Sequence, residues 1–177
     1  MFRLKHWRDT VAHRKHTLAD FIQQKGLTCG AEIGVWQGAT SSHILANTKC
    51  FLYLIDLWQP APGYDGARWD HTKNKQIAMA RIQKYKRYKI LQGVSWQVAE
   101  QIQDQSLDFV FIDGDHSTQG VLKDIEAYTP KLREGGYVMG HDWDWQSVKL
   151  AVHKHCADPQ LLPNGIWYYK KGEHNVK

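Results

Sequence analysis

With 177 residues, 42% of them apolar, the chain is long enough to close one hydrophobic core without staples, and no apolar run approaches the roughly 20 residues of a membrane helix. Lys and Arg outnumber Asp and Glu 23 to 18, a net charge of +5 to which ten histidines add at mildly acid pH. A membrane-embedded or disulfide-stapled chain is thereby excluded as the expectation. The basic start, Met1 to Arg8, has no apolar core or small-residue cleavage site behind it, so a cytoplasmic location is expected. Cys29, Cys50 and Cys156 are odd in number and widely spaced, which predicts buried free thiols.

Residues 3 to about 25 carry Leu4, Trp7, Val11, Leu18, Phe21 and Ile22 at helical spacing and stop at Gly26, predicting an amphipathic helix that covers a sheet. Cys29 to Val35 then reads as a buried strand entering a glycine turn, with a helix from Ala39 to Leu45. In Glu32-x-Gly34-x-x-x-Gly38 the glycines let the backbone turn sharply and approach a ligand, although any tight strand-to-helix turn can use the same residues. The next strand, Phe51 to Asp56, ends on an acid. A carboxylate roughly 20 residues beyond a glycine loop can accept from both hydroxyls of a ribose, whereas a lone strand-end Asp is ordinarily a turn residue or cap.

Leu57 to His71, with Pro60, Pro62, Gly63 and Gly66, is too long for a minimal connection and reads as a surface loop, either a lid or a disordered insertion. A basic helix over 72–85, a strand over Tyr88–Leu91 and the small, hydroxylated turn Gly93-Val94-Ser95 follow. A helix over Trp96–Ile102 leads to Leu107–Ile112, nearly all apolar as a strand covered on both faces must be. Ser117–Tyr128 is a predicted helix with Ser117 or Thr118 as N-cap, and Pro130 ends it. Gly135-Gly136 opens a strand that stops at His141-Asp142; a helix over Ser147–His155 follows, then an antiparallel pair, Gln160–Leu162 and Ile166–Tyr169, around Asn164-Gly165. The order predicts one α/β domain: an N-terminal helix over 1–26 and, over 27–177, a Rossmann-like doubly wound seven-stranded sheet closed by an antiparallel hairpin.

Two runs, Phe109–His116 and Gly135–Asp142, each end on acids and imidazoles. As parallel neighbours about 4.8 Å apart they would gather Asp113, Asp115, His116, His141 and Asp142 on the rim where open α/β folds bind ligands. Trp58, Trp69, Trp143 and Trp145 fall in expected loops, either as a binding surface or packed beneath them.

Glu32-x-Gly34-x-x-x-Gly38, Asp56 and Gly93-x-Ser95 together resemble the first motif, ribose acid and adenine-side turn of the class I S-adenosylmethionine-dependent methyltransferases. More narrowly, Phe111-Ile112-Asp113-Gly114-Asp115-His116 with Gly135-Gly136 ahead of His141-Asp142 is similar to bacterial O-methyltransferases of sugars and natural products, over about residues 28–170. The resemblance implies S-adenosylmethionine held by Glu32, Gly34, Gly38, Asp56, Gly93, Ser95 and Asp113. It implies His116 as general base with Asp113 beside it, and Asp115 either orienting His116 or capping a helix. In metal-using members it implies Mg²⁺ or Mn²⁺, here on Asp113, His141 and Asp142. Some relatives carry an acid where His141 stands.

The expected activity is methyl transfer to an oxygen of a small hydroxylated acceptor. An inactive nucleoside-binding accessory protein and an RNA methyltransferase, the latter motivated by the charge of +5, stay open as alternatives. The acid and imidazole rim disfavours nucleic acid as partner, because methylating an RNA base needs neither ion nor imidazole. No membrane partner is expected. Larger relatives carry extra segments for acceptor recognition, so a partner subunit in a homo-oligomer is one expected source of substrate choice.

Overall fold

Alternation along one central strand divides the molecule into layers. Phe109 and Phe111 face one side of the sheet, and Val110 and Ile112 the other, all within 3% of full burial. The computed structural model describes residues 2–60 and 69–172, with side chains from residue 13 onward. In chain order the elements are α1 (Phe2–Gln24), β1 (Cys29–Ile33), α2 (Ala39–Asn47), β2 (Phe51–Asp56), α3 (His71–Ile82) and β3 (Tyr88–Gln92). There follow α4 (Ser95–Val98), β4 (Leu107–Ile112), α5 (Thr118–Tyr128), β5 (Leu132–Gly140), α6 (Gln146–Val152), β6 (Gln160–Leu162) and β7 (Ile166–Lys170).

The seven strands lie in the order β3-β2-β1-β4-β5-β7-β6, the first five parallel, with β7 antiparallel to both β5 and β6. This is the expected Rossmann-like sheet with its terminal hairpin. Leu18, Phe21 and Ile22 of α1 pack with Ile44 and Leu45 of α2 and Ala78 and Ile82 of α3 on the Phe109/Phe111 face. Val98, Val121, Ile125, Val148 and Val152, from α4, α5 and α6, cover the other. Buried apolar area of this kind supplies most of the folding free energy.

Several boundaries differ from expectation for local reasons. Asp70 caps α3 by accepting from the Lys73 N–H, so the helix begins at His71. The helix expected over 96–102 is a short α4 continued by a 3-10 turn at Ala99–Gln101. Strand β5 begins at Leu132, opposite Leu107, and then skips register so that Phe109 faces Tyr137. Gly135-Gly136 therefore sits in a bulge within the strand rather than opening it. Cys50 and Cys156 are buried free thiols and Cys29 is half-buried. The expected lid lies mainly at residues 61–68, outside the described residues. Among the described residues no helix is long and apolar enough to cross a membrane.

Candidate active site

The chain reverses direction of growth at β1, whose neighbours are β2 and β4, and the carboxyl ends of these strands open toward one another. The Gly34 N–H donates to the Ile55 carbonyl and the Asp113 N–H to the Ile33 carbonyl, each at 2.9 Å. This closeness needs a glycine: at Gly34, where φ is +88°, a Cβ would stand 2.1 Å from the Asp113 carbonyl oxygen. Gly38 ends the turn at φ +69°, and a Cβ there would come within 3.2 Å of Ala78 on α3. The two glycines are thus required by backbone shape, and the turn between them carries Val35, Trp36 and Gln37.

Asp56, at the tip of β2, accepts from the Trp36 N–H at 2.6 Å and the Trp58 N–H at 2.8 Å, one on each carboxylate oxygen. Burial raises its pKa against the opposing pull of those amides. The Trp58 indole N–H donates to the Trp36 carbonyl at 2.8 Å, knitting the turn to the segment after β2. Trp58 is therefore packed, and Trp143 leans on the core, whereas Trp69 and Trp145 are about half exposed. Trp69 stands edge-on to Trp36 at 5.7 Å between centroids.

Two expected cofactor residues turn inward. Glu32 is 2% exposed and accepts from the Ser41 hydroxyl at 2.5 Å. Burial pushes its carboxyl up to about 8, so it is largely protonated at neutral pH. The Ser95 hydroxyl donates to Asp124 on α5. Ser117 caps α5, as expected, by accepting from the Gly120 N–H at 3.0 Å, and Asp115 holds that cap in place: its oxygens accept from the Ser117 N–H and hydroxyl at 2.8 and 3.0 Å. Asp115 does not reach His116 through any described bond.

The tips of β4 and β5 do converge. Asp113, His141 and Asp142 offer ligand atoms that all lie within 4.8 Å of one another. Asp142 adopts a left-handed backbone, φ +57°, which Asp tolerates better than most residues. His116 Nε2 stands 2.7 Å from Asp142 Oδ2 and 3.7 Å from Asp113 Oδ1. The N–H is not aligned on either oxygen as a hydrogen bond, so this is a close charge contact. Burial lowers the His116 pKa, but the two carboxylates outweigh it and push the imidazole up to about 10. The ring therefore keeps its proton at pH 7. The ring also lies against Trp145, 5.2 Å between centroids.

A residue with no functional expectation completes the cluster. Arg14 of α1 places Nη1 2.8 Å from Asp113 Oδ2 and 3.1 Å from His141 Nδ1. Although burial alone would raise the Asp113 pKa, Arg14 first, then His116 and His141, hold it down at about 2. The other nitrogen of His141, Nε2, meets the Asn164 carbonyl at 3.0 Å and so carries a proton. No motif marks Arg14; one basic residue among many in an N-terminal helix gives no signal until the fold is known.

A family described as a methyltransferase domain matches residues 31–143. An uncharacterised protein of Acanthamoeba polyphaga mimivirus is 30% identical over 153 residues, 84% of this chain and 67% of that one. An O-methyltransferase from Bacillus cereus, solved in complex with SAH, superposes with a TM-score of 0.64 at 16% identity, covering 90% of this chain and 81% of that one. A methyltransferase from Geobacter sulfurreducens does so with a TM-score of 0.61 at 12% identity, covering 89% and 77%. At such identities the likeness of the two solved structures is one of fold.

Proposed function

This chain belongs to the methyltransferase-domain family, and we propose that it transfers the methyl group of S-adenosylmethionine to a hydroxyl oxygen of a small acceptor, such as a sugar or natural product. The observation that carries the reading is the meeting, at one sheet edge, of the Gly34–Gly38 turn and Asp56 with Asp113, His116 and Asp142. The Bacillus cereus relative, solved with SAH, supports the cofactor class. When bound, the cofactor supplies a sulfonium methyl, an electrophile that needs an aligned and partly deprotonated oxygen.

The chain's residues suit that task. Asp56 keeps lone pairs beyond those used by the Trp36 and Trp58 amides, and these accept from ribose hydroxyls. Gly34 and Gly38 let the backbone of the turn approach the cofactor, and the Gly93–Ser95 backbone borders the base. Glu32 acts from below, tying β1 to α2 through Ser41. Asp113 stands where cofactor and acceptor meet. His116 takes the acceptor proton after losing its own, which requires alkaline conditions. The divalent ion expected on Asp113, His141 and Asp142 does not fit with the Arg14 guanidinium among those donors, and no step here runs through an ion.

Calorimetric titration with S-adenosylhomocysteine tests the core of the reading. Saturable binding that is weakened in Asp56→Ala is expected; no binding by the wild-type chain would sink it.

A further inference from the structure

We propose that Arg14 is the resident cation of the Asp113–His141–Asp142 cluster, taking the place of a divalent ion, so that this enzyme holds its acceptor site together without metal. The proposal concerns the site assigned above to methyl transfer, but it stands on geometry that does not depend on the reaction.

The Arg14 side chain is 11% exposed and Asp113 is 10% exposed, so their 2.8 Å ion pair is shielded from solvent and salt. Breaking such a pair leaves an uncompensated buried charge, which is why the partners stay together once folded. The same Nη1 lies 3.1 Å from His141 Nδ1. Because His141 Nε2 spends its proton on the Asn164 carbonyl, Nδ1 is the nitrogen whose lone pair a metal would use. That nitrogen also stands 3.1 Å from Asp142 Oδ1 and 3.5 Å from Asp113 Oδ1, so the guanidinium and the two acids already crowd the position an ion would take. One nitrogen of Arg14 thus contacts two of the three candidate metal donors.

Nor is the arginine a loose surface group. Leu18 and Ile22, on the same stripe of α1, are fully buried in the core beneath it. The Asn164 side-chain amide donates to the Thr17 hydroxyl at 2.9 Å, tying α1 to the hairpin turn that also holds His141. A dication entering between the donors would meet a fixed positive charge at contact distance, and either the ion or α1 would have to yield.

The test is Mn²⁺ binding, followed by electron paramagnetic resonance and calorimetry on wild type, Arg14→Met and the double variant Arg14→Met/Asp142→Ala, all first stripped with EDTA. Met keeps the apolar stem, and circular dichroism establishes that each variant is folded; Arg14→Lys, which keeps the charge, serves if Met does not fold. The expected result is negligible Mn²⁺ binding by wild type and by the Lys variant. In Arg14→Met binding should rise by at least about 100-fold, because a positive charge about 4 Å from the ion is gone, and the double variant should lose it again. Binding by wild type as tight as by Arg14→Met would overturn the proposal. So would an absence of binding in Arg14→Met, since the arginine would then not be what excludes the ion. S-adenosylhomocysteine affinity of the EDTA-stripped wild type, measured alongside, judges the methyltransferase reading separately.

Discussion

Asp56 spends one lone pair of each oxygen on a tryptophan amide and still faces the rim, which makes it the most direct residue-scale test of cofactor binding. Its replacement by alanine should weaken S-adenosylhomocysteine binding by about 1–3 kcal/mol, the range for hydrogen bonds to a charged group; unchanged affinity would remove the ribose role. His116 gives a second test, through pH. With its pKa raised to about 10, it holds a proton throughout the neutral range, and each unit of pH below that costs about tenfold in free imidazole. The Asp113 and Asp142 carboxylates face it from β4 and β5, with Arg14 and His141 behind them. Methyl transfer should therefore climb with pH toward about 10. His116→Ala should lose about 10²–10⁴-fold in rate with cofactor affinity intact. A wild-type optimum at neutral pH would reject the base.

Among the elements, α4 and α5 are joined by a buried acid that has no part in the chemistry. Asp124 accepts from the Ser95 hydroxyl, has no partner on its other oxygen among the described residues, and is 1% exposed. Burial raises its pKa from 3.8 to about 7. Between those values the folded chain keeps a proton that the unfolded chain has released, so stability falls as pH rises through that window. At about 1.4 kcal/mol per unit, the loss is on the order of 4 kcal/mol. Asp124→Asn should lack this slope and gain on wild type as pH rises, seen as urea midpoints that diverge between pH 5 and 8; parallel profiles would contradict it. At the same scale, α1 is more than a cover for the sheet. Its apolar stripe was readable from spacing, but that stripe also fixes where Arg14 arrives.

Over the whole molecule, folding brings basic residues far apart in the chain together. Lys15 of α1, His43 of α2, Arg81 of α3 and Lys84 in the turn after α3 line one open cleft of about 390 Å³. If RNA were the acceptor, this cleft would be the electrostatic footprint, and replacing Lys15, Arg81 and Lys84 by alanine would abolish methylation. On the small-acceptor reading, RNA binding should be weak and fall steeply with salt, by a slope that the triple variant reduces by about 0.7 per charge removed, while methyl transfer to a small hydroxyl compound persists.

The amino-acid sequence by itself determined the layered α/β architecture, the strand that each acid and glycine terminates, and the rim on which they meet. Those features rest on periodicity and chain order: alternation in Phe109–Ile112, glycines before α2, and an acid at the end of β2 are local facts that survive without knowing what lies opposite. The bulge in β5 was not legible, because Gly135-Gly136 looks the same opening a strand or interrupting one until Leu132 is paired with Leu107. The inward turn of Glu32 and Ser95 was hidden for a similar reason, since Ser41 and Asp124 compete for them only after packing. The electrostatic state of the rim was hidden most completely. Arg14 meets His141 across 127 residues of chain, and His116 takes its charge from acids at the tips of two different strands. A protonation state or a resident cation is set by charges within a few ångströms, and only the tertiary structure decides which those are.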